Sequence, residues 1–367
     1  MTAIHIQGLG TYVPTKRITN VDLMSLVDTN DEWIVSRTGI KARHMLADDE
    51  NGSDAGTEAA LKALEDAGIA AEDITHVLTA TCTPDYLCPS TACIISGKIG
   101  SHGAMAFDLN AACTGFVYGL DVANSILAGK PGAKVLLVGS EAFTRRLNWE
   151  DRTTCILFGD GAGAVVLEWR DEAEAGAAEA AGAAGAAGAA GADAPGILSS
   201  YMENTDDVDR TLWCDSAFAS REVPFAADGT TAAAGTSTTD APRLAAADAE
   251  SDPYMRMAGQ AVFKFATSAM IRCTEEALTR AGLTTDDVTL FTPHQANERI
   301  IRYAAKKMGL PMERFQVIID HVGNVSGASA LIALNEALCE GKLQPGDIAC
   351  MTAFGGGLTA GSCVIRI

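Results

Sequence analysis

The sequence predicts a duplicated α/β fold, and two internal echoes carry that expectation. Residues 63–75, "ALEDAGIAAEDIT", match residues 277–289, "ALTRAGLTTDDVT", at six of 13 positions, and Ile/Leu, Glu/Asp and Ile/Val exchanges extend the match. Residues 158–168, "FGDGAGAVVLE", pair with residues 354–365, "FGGGLTAGSCVI". Each member of the second pair follows an apolar run with the character of a buried strand, "AKVLLVGSE" or "DIACMTAF". Two echoes in the same order point to a repeated unit, with halves at 1–170 and 253–367. A site in such a fold is expected where the halves meet.

The elements follow in chain order. "MTAIHIQGLGTYVP" reads as a strand through Ile4 and Ile6 and then a Gly turn. It has neither the basic start nor the long apolar core of a secretory signal. "ALEDAG" reads as a helix end with Gly68 as its stop, followed by an acidic turn and the strand "HVLTAT". "MAFDL" reads as a further strand, and after Cys113 the residues Phe116, Leu120, Ala123 and Leu127 recur at helical spacing. Residues 171–252 read as a variable insertion. They hold the low-complexity run "EAEAGAAEAAGAAGAAGAAGADAPG" and the poor stretch "ADGTTAAAGTSTTDAP", both expected to be flexible. Beyond them Gly282 stops a second helix ahead of the strand "LFTPH".

Composition narrows the function. The chain has 367 residues, 48% hydrophobic and 20% charged, which favours a large core. No apolar run approaches the roughly 18–20 residues of a membrane helix. The ten cysteines include no C-x-x-C pair, so free thiols in a reducing cytoplasm are expected. Cys82, Cys88 and Cys93 have no His at ligand spacing; they are read as packing residues, and no metal is expected. A net charge of −20 argues against nucleic-acid binding, and it is uneven: residues 171–252 hold 16 acids against 3 arginines.

Four stretches could carry chemistry. Cys113 falls between a strand and a helix start, where the helix dipole and free N–H groups favour a thiolate and stabilise an oxyanion. His294, in "TPHQANERI", follows the strand of the second repeat, a usual place for catalytic residues in α/β folds. Asn324, in "HVGNVSGAS", is flanked by Gly323 and Gly327, and its amide can donate to a carbonyl oxygen. The glycines of "FGGGLTAG" can aim N–H groups at an anion, although neither this loop nor "GDGAGA" fits a Walker pattern. Cys, His, Asn and a Gly loop point to carbonyl chemistry through a thioester. Two enzyme classes fit: a cysteine hydrolase, without the C-G-S-C-W context, and a carbon–carbon bond former of the thiolase type.

"DTNDEWIVSRTGI", "AACTGF", "FGDGAGA", "PHQAN", "GNVSGAS" and "AFGGG" together resemble the β-ketoacyl-acyl-carrier-protein synthase III family. The resemblance covers nearly the whole chain apart from the two insertions. It implies a five-layered αβαβα thiolase fold and a homodimer. It also implies that Cys113 takes an acyl group from an acyl-CoA primer. His294 and Asn324 would then donate to the malonyl thioester of the carrier protein as it loses CO2. The backbone N–H groups of Cys113 and Gly356 would form the oxyanion hole. Coenzyme A contacts map onto Thr29, Trp33, Arg37, Arg152 and Asn297, with Trp33 and Arg152 sandwiching the adenine. No cofactor is implied, because coenzyme A arrives with the substrate.

Within the superfamily, elongating synthases carry His where this chain has Asn324, and plant-type polyketide synthases carry G-F-G-P-G where this chain has "FGGGL". Arg299, Arg302 and Lys306 recur at i, i+3 and i+7, with Lys307 beside them, and form a basic stripe suited to an acidic carrier protein. Three positions depart from the pattern: Gln260 stands where relatives often have Asn, and Thr153 where Gly is common. Cys88 replaces a bulky residue that reaches across the dimer to gate the partner's acyl pocket, which implies a roomier primer site. A related Cys-His-Asn condensing enzyme of secondary metabolism, and a non-catalytic acyl-CoA-binding module, stand as alternatives.

Overall fold

The computed structural model describes residues 3–170, 195–207, 209–214 and 254–367. Strand β1 (Ala3–Tyr12) opens the chain, and a short hairpin of β2 (Lys16–Thr19) and β3 (Ala42–Met45) follows. With β4 (His76–Ala80), β5 (Met105–Leu109), β6 (Lys134–Ala142) and β7 (Asp160–Arg170), β1 forms a sheet in the order β1-β7-β6-β4-β5. A second sheet contains β8 (Gly196–Asn204), β11 (Leu290–Pro293), β12 (Ile348–Gly355) and β13 (Thr359–Arg366), in the order β8-β13-β12-β11. The two-residue strands β9 (Leu212–Trp213) and β10 (Arg256–Met257) pair with each other.

The two sheets repeat one plan. In the first, β4 runs parallel to β5 and β6, and β7 runs antiparallel to β6 and β1. In the second, β11 runs parallel to β12, and β13 runs antiparallel to β12 and β8. A parallel bridge from Phe291 to Phe315 stands in the place of β5.

Helices complete five layers. The small α1 (Asn20–Leu23) and α2 (Asp31–Thr38) lie between β2 and β3 in sequence. On the outer face of the first sheet, α3 (Gly52–Ala67) and α4 (Thr91–Ile99) pack Ala59, Ala63 and Ile95 against Leu136, Val138 and Val166. On the second, α6 (Gly259–Ala281) and α7 (Glu298–Met308) pack Ala269, Met270 and Ile301 against Phe291, Cys350 and Val364. Between the sheets lie α5 (Gly115–Gly129) and α9 (Ser329–Cys339), preceded by the single turn α8 (Ile319–Val322). Their Phe116, Leu120, Leu331 and Leu334 meet Leu137 and Val165 from one sheet and Met351 and Cys363 from the other. Burying each large side chain of this kind stabilises the fold by about 1.5–3 kcal/mol. The repeated windows fall at matching joints, where α3 and α6 end on left-handed Gly68 and Gly282 at φ 62° and 71°.

The structure corrects three expectations. β1 runs straight through Gly8 and Gly10 with only a bulge, rather than turning there. The glycines let α3 lie almost on the strand: a Cβ at Gly8 or Gly10 would sit 2.4 or 2.3 Å from the Ala63 or Ala59 carbonyl oxygen. β8 falls inside 171–252, so part of that stretch is an edge strand of the second sheet rather than insertion. The rest of the Ala/Gly-rich run, and all of the second low-complexity stretch, lie outside the described residues. Cys88 and Cys93 are exposed instead of packed, and all ten cysteines are free thiols. Among the described residues, no helix is long and apolar enough to cross a membrane.

Candidate active site

The chain turns sharply at the thiol. After β5, Asn110 Oδ1 accepts from the Ala112 N–H at 3.1 Å, and Ala112 adopts φ +48°. A left-handed residue with a Cβ costs about 1–3 kcal/mol, held here by the surrounding packing. One 3-10 turn, Ala112–Thr114, then carries Cys113 into α5. Asp108 takes no part at the thiol; its carboxylate accepts from Thr91 N and Ala92 N, both at 2.7 Å, and caps α4. From the other half, Gly355 packs so close that a Cβ on it would sit 2.7 Å from Cys113 N. Strand-end loops of both halves thus meet at Cys113.

His294 follows β11 and is buried, its N–H donating to the Thr352 carbonyl at 2.7 Å. Its ring meets Phe354 edge-on, with centroids 5.3 Å apart. Nδ1 lies 2.6 Å from Ser329 Oγ, which is itself 2.7 Å from the Ser326 carbonyl. Ser329 has one proton: donated to the Ser326 carbonyl it makes Nδ1 the N–H, and donated to Nδ1 it leaves Nε2 as the N–H, the arrangement a donor role at Nε2 requires. Asn324 is anchored by its own backbone, which donates to Leu157 O at 3.0 Å and accepts from Gly159 N at 2.9 Å. Asn324 Oδ1 accepts from Ser326 N at 2.9 Å, which turns the NH2 group outward as a donor. In "FGDGAGA", Asp160 holds Leu46 N, Thr144 N and Thr144 Oγ1 at 3.0, 2.8 and 2.6 Å, a structural tie between strands and loops.

Burial sets the electrostatics. It pushes the His294 imidazolium down to about 3, so the ring is neutral near pH 7. It pushes the Cys113 thiol up to about 12, and a hydrogen bond from Ser326 offsets only part of that. Burial and the helix start act in opposite directions on Cys113, which stands in the 3-10 turn ahead of α5.

A cavity of about 660 Å³ brings Cys113, His294 and Asn324 together. Trp33, Arg37, Arg152, Asn297, Gln260 and Arg299 line the same cavity. The Arg37 and Arg152 guanidinium carbons lie 4.4 and 4.8 Å from the Trp33 ring centroid. A base entering between Trp33 and Arg152 would have to displace Arg152, which is held by the Asp28 carbonyl at 2.7 Å. Asn297 is spent locally, accepting from Arg299 N at 2.9 Å and donating to Arg37 O at 3.0 Å.

Other expected residues are less direct. Thr29 does not border the cavity, and its Oγ1 is shielded from solvent without a partner. Gly355 borders the cavity but Gly356 does not; the Gly356 carbonyl accepts from Thr359 Oγ1 at 3.1 Å. Cys88 is exposed and lies outside the cavity of its own chain. Along α7, Arg299, Arg302, Lys306 and Lys307 are all exposed. Arg302 is partly neutralised by Glu298, whose Oε1 accepts from Nε at 2.8 Å.

Three polar residues behind the site were not singled out in the sequence. Ser326 and Ser329 stand inside the quoted stretch around Asn324, where their spacing of three offered a weak signal. Glu141 closes the run "AKVLLVGSE", where a carboxyl in an otherwise apolar strand was the available clue.

Comparison with known proteins adds a consistent picture. The model of the 3-oxoacyl-[acyl-carrier-protein] synthase III C-terminal region matches residues 278–367, and that of 3-oxoacyl-[acyl-carrier-protein] synthase III matches residues 107–185. The β-ketoacyl-[acyl-carrier-protein] synthase III of Nitratidesulfovibrio vulgaris Miyazaki F is 44% identical, over 99% of this chain and 98% of that protein. The crystal structure of 3-oxoacyl-[acyl-carrier-protein] synthase III from Aquifex aeolicus superposes with a TM-score of 0.81 at 37% identity, covering 99% of this chain and all of that one. The priming β-ketosynthase of the R1128 polyketide pathway also gives 0.81, at 29% identity, covering 100% of this chain and 96% of that one.

Proposed function

Because this chain belongs to the β-ketoacyl-acyl-carrier-protein synthase III family of condensing acyltransferases, we propose that it joins an acyl-CoA primer to malonyl-carrier protein and so starts type II fatty acid synthesis. One observation supports this above the others: a single cavity holds a buried thiol, a neutral imidazole and an outward-facing amide. Cys113 Sγ attacks the primer thioester, coenzyme A leaves, and an acyl-Cys113 thioester remains. The transient oxyanion rests on the Cys113 N–H and on an N–H of the glycine loop that Gly355 brings to the cavity, Gly356 being the one the family resemblance implies. His294 Nε2–H and Asn324 Nδ2–H then donate to the malonyl thioester oxygen as CO2 departs. The carbanion attacks acyl-Cys113 and releases 3-oxoacyl-carrier protein. Decarboxylation makes the carbanion without a base, which suits two neutral donors.

This reading places the chain in the cytoplasm as a homodimer. Coenzyme A binds through Trp33, Arg37 and Arg152, Arg152 moving aside as the base enters, while Thr29 and Asn297 would contact it only after a rearrangement that frees them, and no metal or redox cofactor takes part. The likeness to a priming polyketide synthase favours one second reading, a specialised pathway with another acyl donor or malonyl-CoA. Purified protein given a primer series with either malonyl-carrier protein or malonyl-CoA separates them. The expected outcome is condensation with the carrier-bound donor, and acceptance of primers longer than acetyl because Cys88 stands in the gate position. Preference for malonyl-CoA would favour the specialised reading, and a strict acetyl preference would remove the role of Cys88.

The stripe on α7 has its own test. Arg299 borders the cavity while Lys306 stands nearly two turns further along, so an acidic carrier protein lying on both would deliver its arm to the thiol. Reversing Arg299 and Lys306 to Glu is expected to raise KM for malonyl-carrier protein by about tenfold. Acylation of Cys113 by acyl-CoA should change little. An unchanged KM would show that the carrier protein docks elsewhere.

A further inference from the structure

His294 and Asn324 stand on different segments of the second half, and one side chain is bonded to both segments. Gln295 is completely buried. Its Nε2 donates to the Pro293 carbonyl at 2.8 Å and to the Gln316 carbonyl at 3.0 Å. Its Oε1 accepts from Ile318 N at 2.9 Å and from Ile319 N at 3.2 Å. Two carbonyls on one side and two N–H groups on the other admit a single orientation of the amide.

On the His294 side, this amide completes the hold on one peptide unit. The N–H of His294 donates to the Thr352 carbonyl at 2.7 Å, and the Pro293 carbonyl of the same unit accepts from Gln295. Both ends of the unit are fixed, which sets the direction in which His294 leaves β11. On the Asn324 side, Gln295 caps α8. The residue at the N-cap position of that turn is Ile318, whose side chain has no oxygen for the first free N–H groups. Gln295 supplies the oxygen from 23 residues away. The turn then closes on Gly323, whose N–H donates to the Ile319 carbonyl at 3.1 Å, and Asn324 follows at once. A shift at the start of α8 is therefore carried to Asn324.

We propose that Gln295 sets the spacing between His294 and Asn324, and so serves the malonyl half-reaction rather than the acylation of Cys113. This rests on the reading that His294 and Asn324 donate to the malonyl thioester. Two donors must meet one oxygen together, and a misplacement of about 1 Å can cost about 100-fold in rate. The turn at Cys113 has other supports, Asn110 Oδ1 and the close-packed Gly355. Gln295 is a positioning residue, acting through the two donors and not on the substrate. An apolar side chain of the same length would fill its space but would leave two carbonyls and two N–H groups without this partner.

The test measures malonyl-carrier-protein decarboxylation and Cys113 acylation separately in wild type, Gln295→Met and Gln295→Glu. Gln295→Met should lower kcat for decarboxylation by about 100-fold, with KM for malonyl-carrier protein and the rate of acylation little changed. Gln295→Glu keeps an acceptor for Ile318 N and Ile319 N and should recover part of the loss. An equal fall in both half-reactions would make Gln295 a folding residue only, and full decarboxylation by Gln295→Met would show that the spacing does not depend on it; either result overturns the proposal. His294→Ala, assayed alongside, separates the two levels: if it decarboxylates like wild type, the donor reading fails, whereas a slow His294→Ala beside a fast Gln295→Met fails the clamp alone. Hydrogen exchange in wild type needs no variant to fold. The Ile318 and Ile319 amides should exchange as slowly as those of the buried β12, and exchange within seconds would overturn the clamp.

Discussion

Cys113→Ala is expected to reduce condensation to background while leaving the fold and malonyl-carrier-protein decarboxylation in place. Among the described residues Cys113 is the one thiol in the cavity wall, and a methyl group has no electron pair to offer a carbonyl carbon. The side chain is small and buried among small neighbours, Gly355 and Ala112. Its truncation should therefore cost only about 1 kcal/mol of stability. Decarboxylation does not pass through the sulfur; it draws on His294 and Asn324, both of which the substitution spares. Product formation and CO2 release, measured separately, check this. Residual condensation well above background would point to a different nucleophile.

His294→Ala and Asn324→Asp are expected to do the reverse. Each removes a donor aimed at the oxygen on which enolate charge develops, and loss of one such donor typically costs about 10²–10³ in kcat. Asn324→Asp keeps the Oδ1 that accepts from Ser326 N and exchanges the NH2 for an acceptor, so it tests donation rather than loop anchoring. It also places a charge where negative charge must form, which should make it the more damaging of the two. Acylation of Cys113 by acyl-CoA should survive in both. If loading fell as far as decarboxylation, the two residues would be serving the first half-reaction, and the division of labour would be wrong.

Much of the fold was legible because duplication leaves traces at the joints. The Gly stops at 68 and 282 and the glycine-rich openings at 158 and 354 mark matching places in the two sheets. Cys113, His294 and Asn324 could be read from their positions at strand ends. What the sequence hid depends on contacts between distant segments. The helix start beside the thiol is a local property, but the thiol's burial comes from Gly355 and the second half, and that burial pushes its ionisation to higher pH. Glu141 sits in an apolar strand whose pattern says only that it is buried, and its hydrogen-bond partners come from a loop roughly 60 residues away in sequence. The straight path of β1 through Gly8 and Gly10 depends on how closely α3 approaches, which no window of residues 1–14 records.

The central claim is that Cys113 carries the acyl group between two half-reactions. Intact-protein mass spectrometry after incubation with a panel of acyl-CoAs, on wild type and Cys113→Ala, tests it most directly. The account predicts one acyl mass on wild type and none on the variant, with the best-loaded acyl group identifying the primer. No adduct on wild type with any primer, or the same adduct on Cys113→Ala, would contradict it.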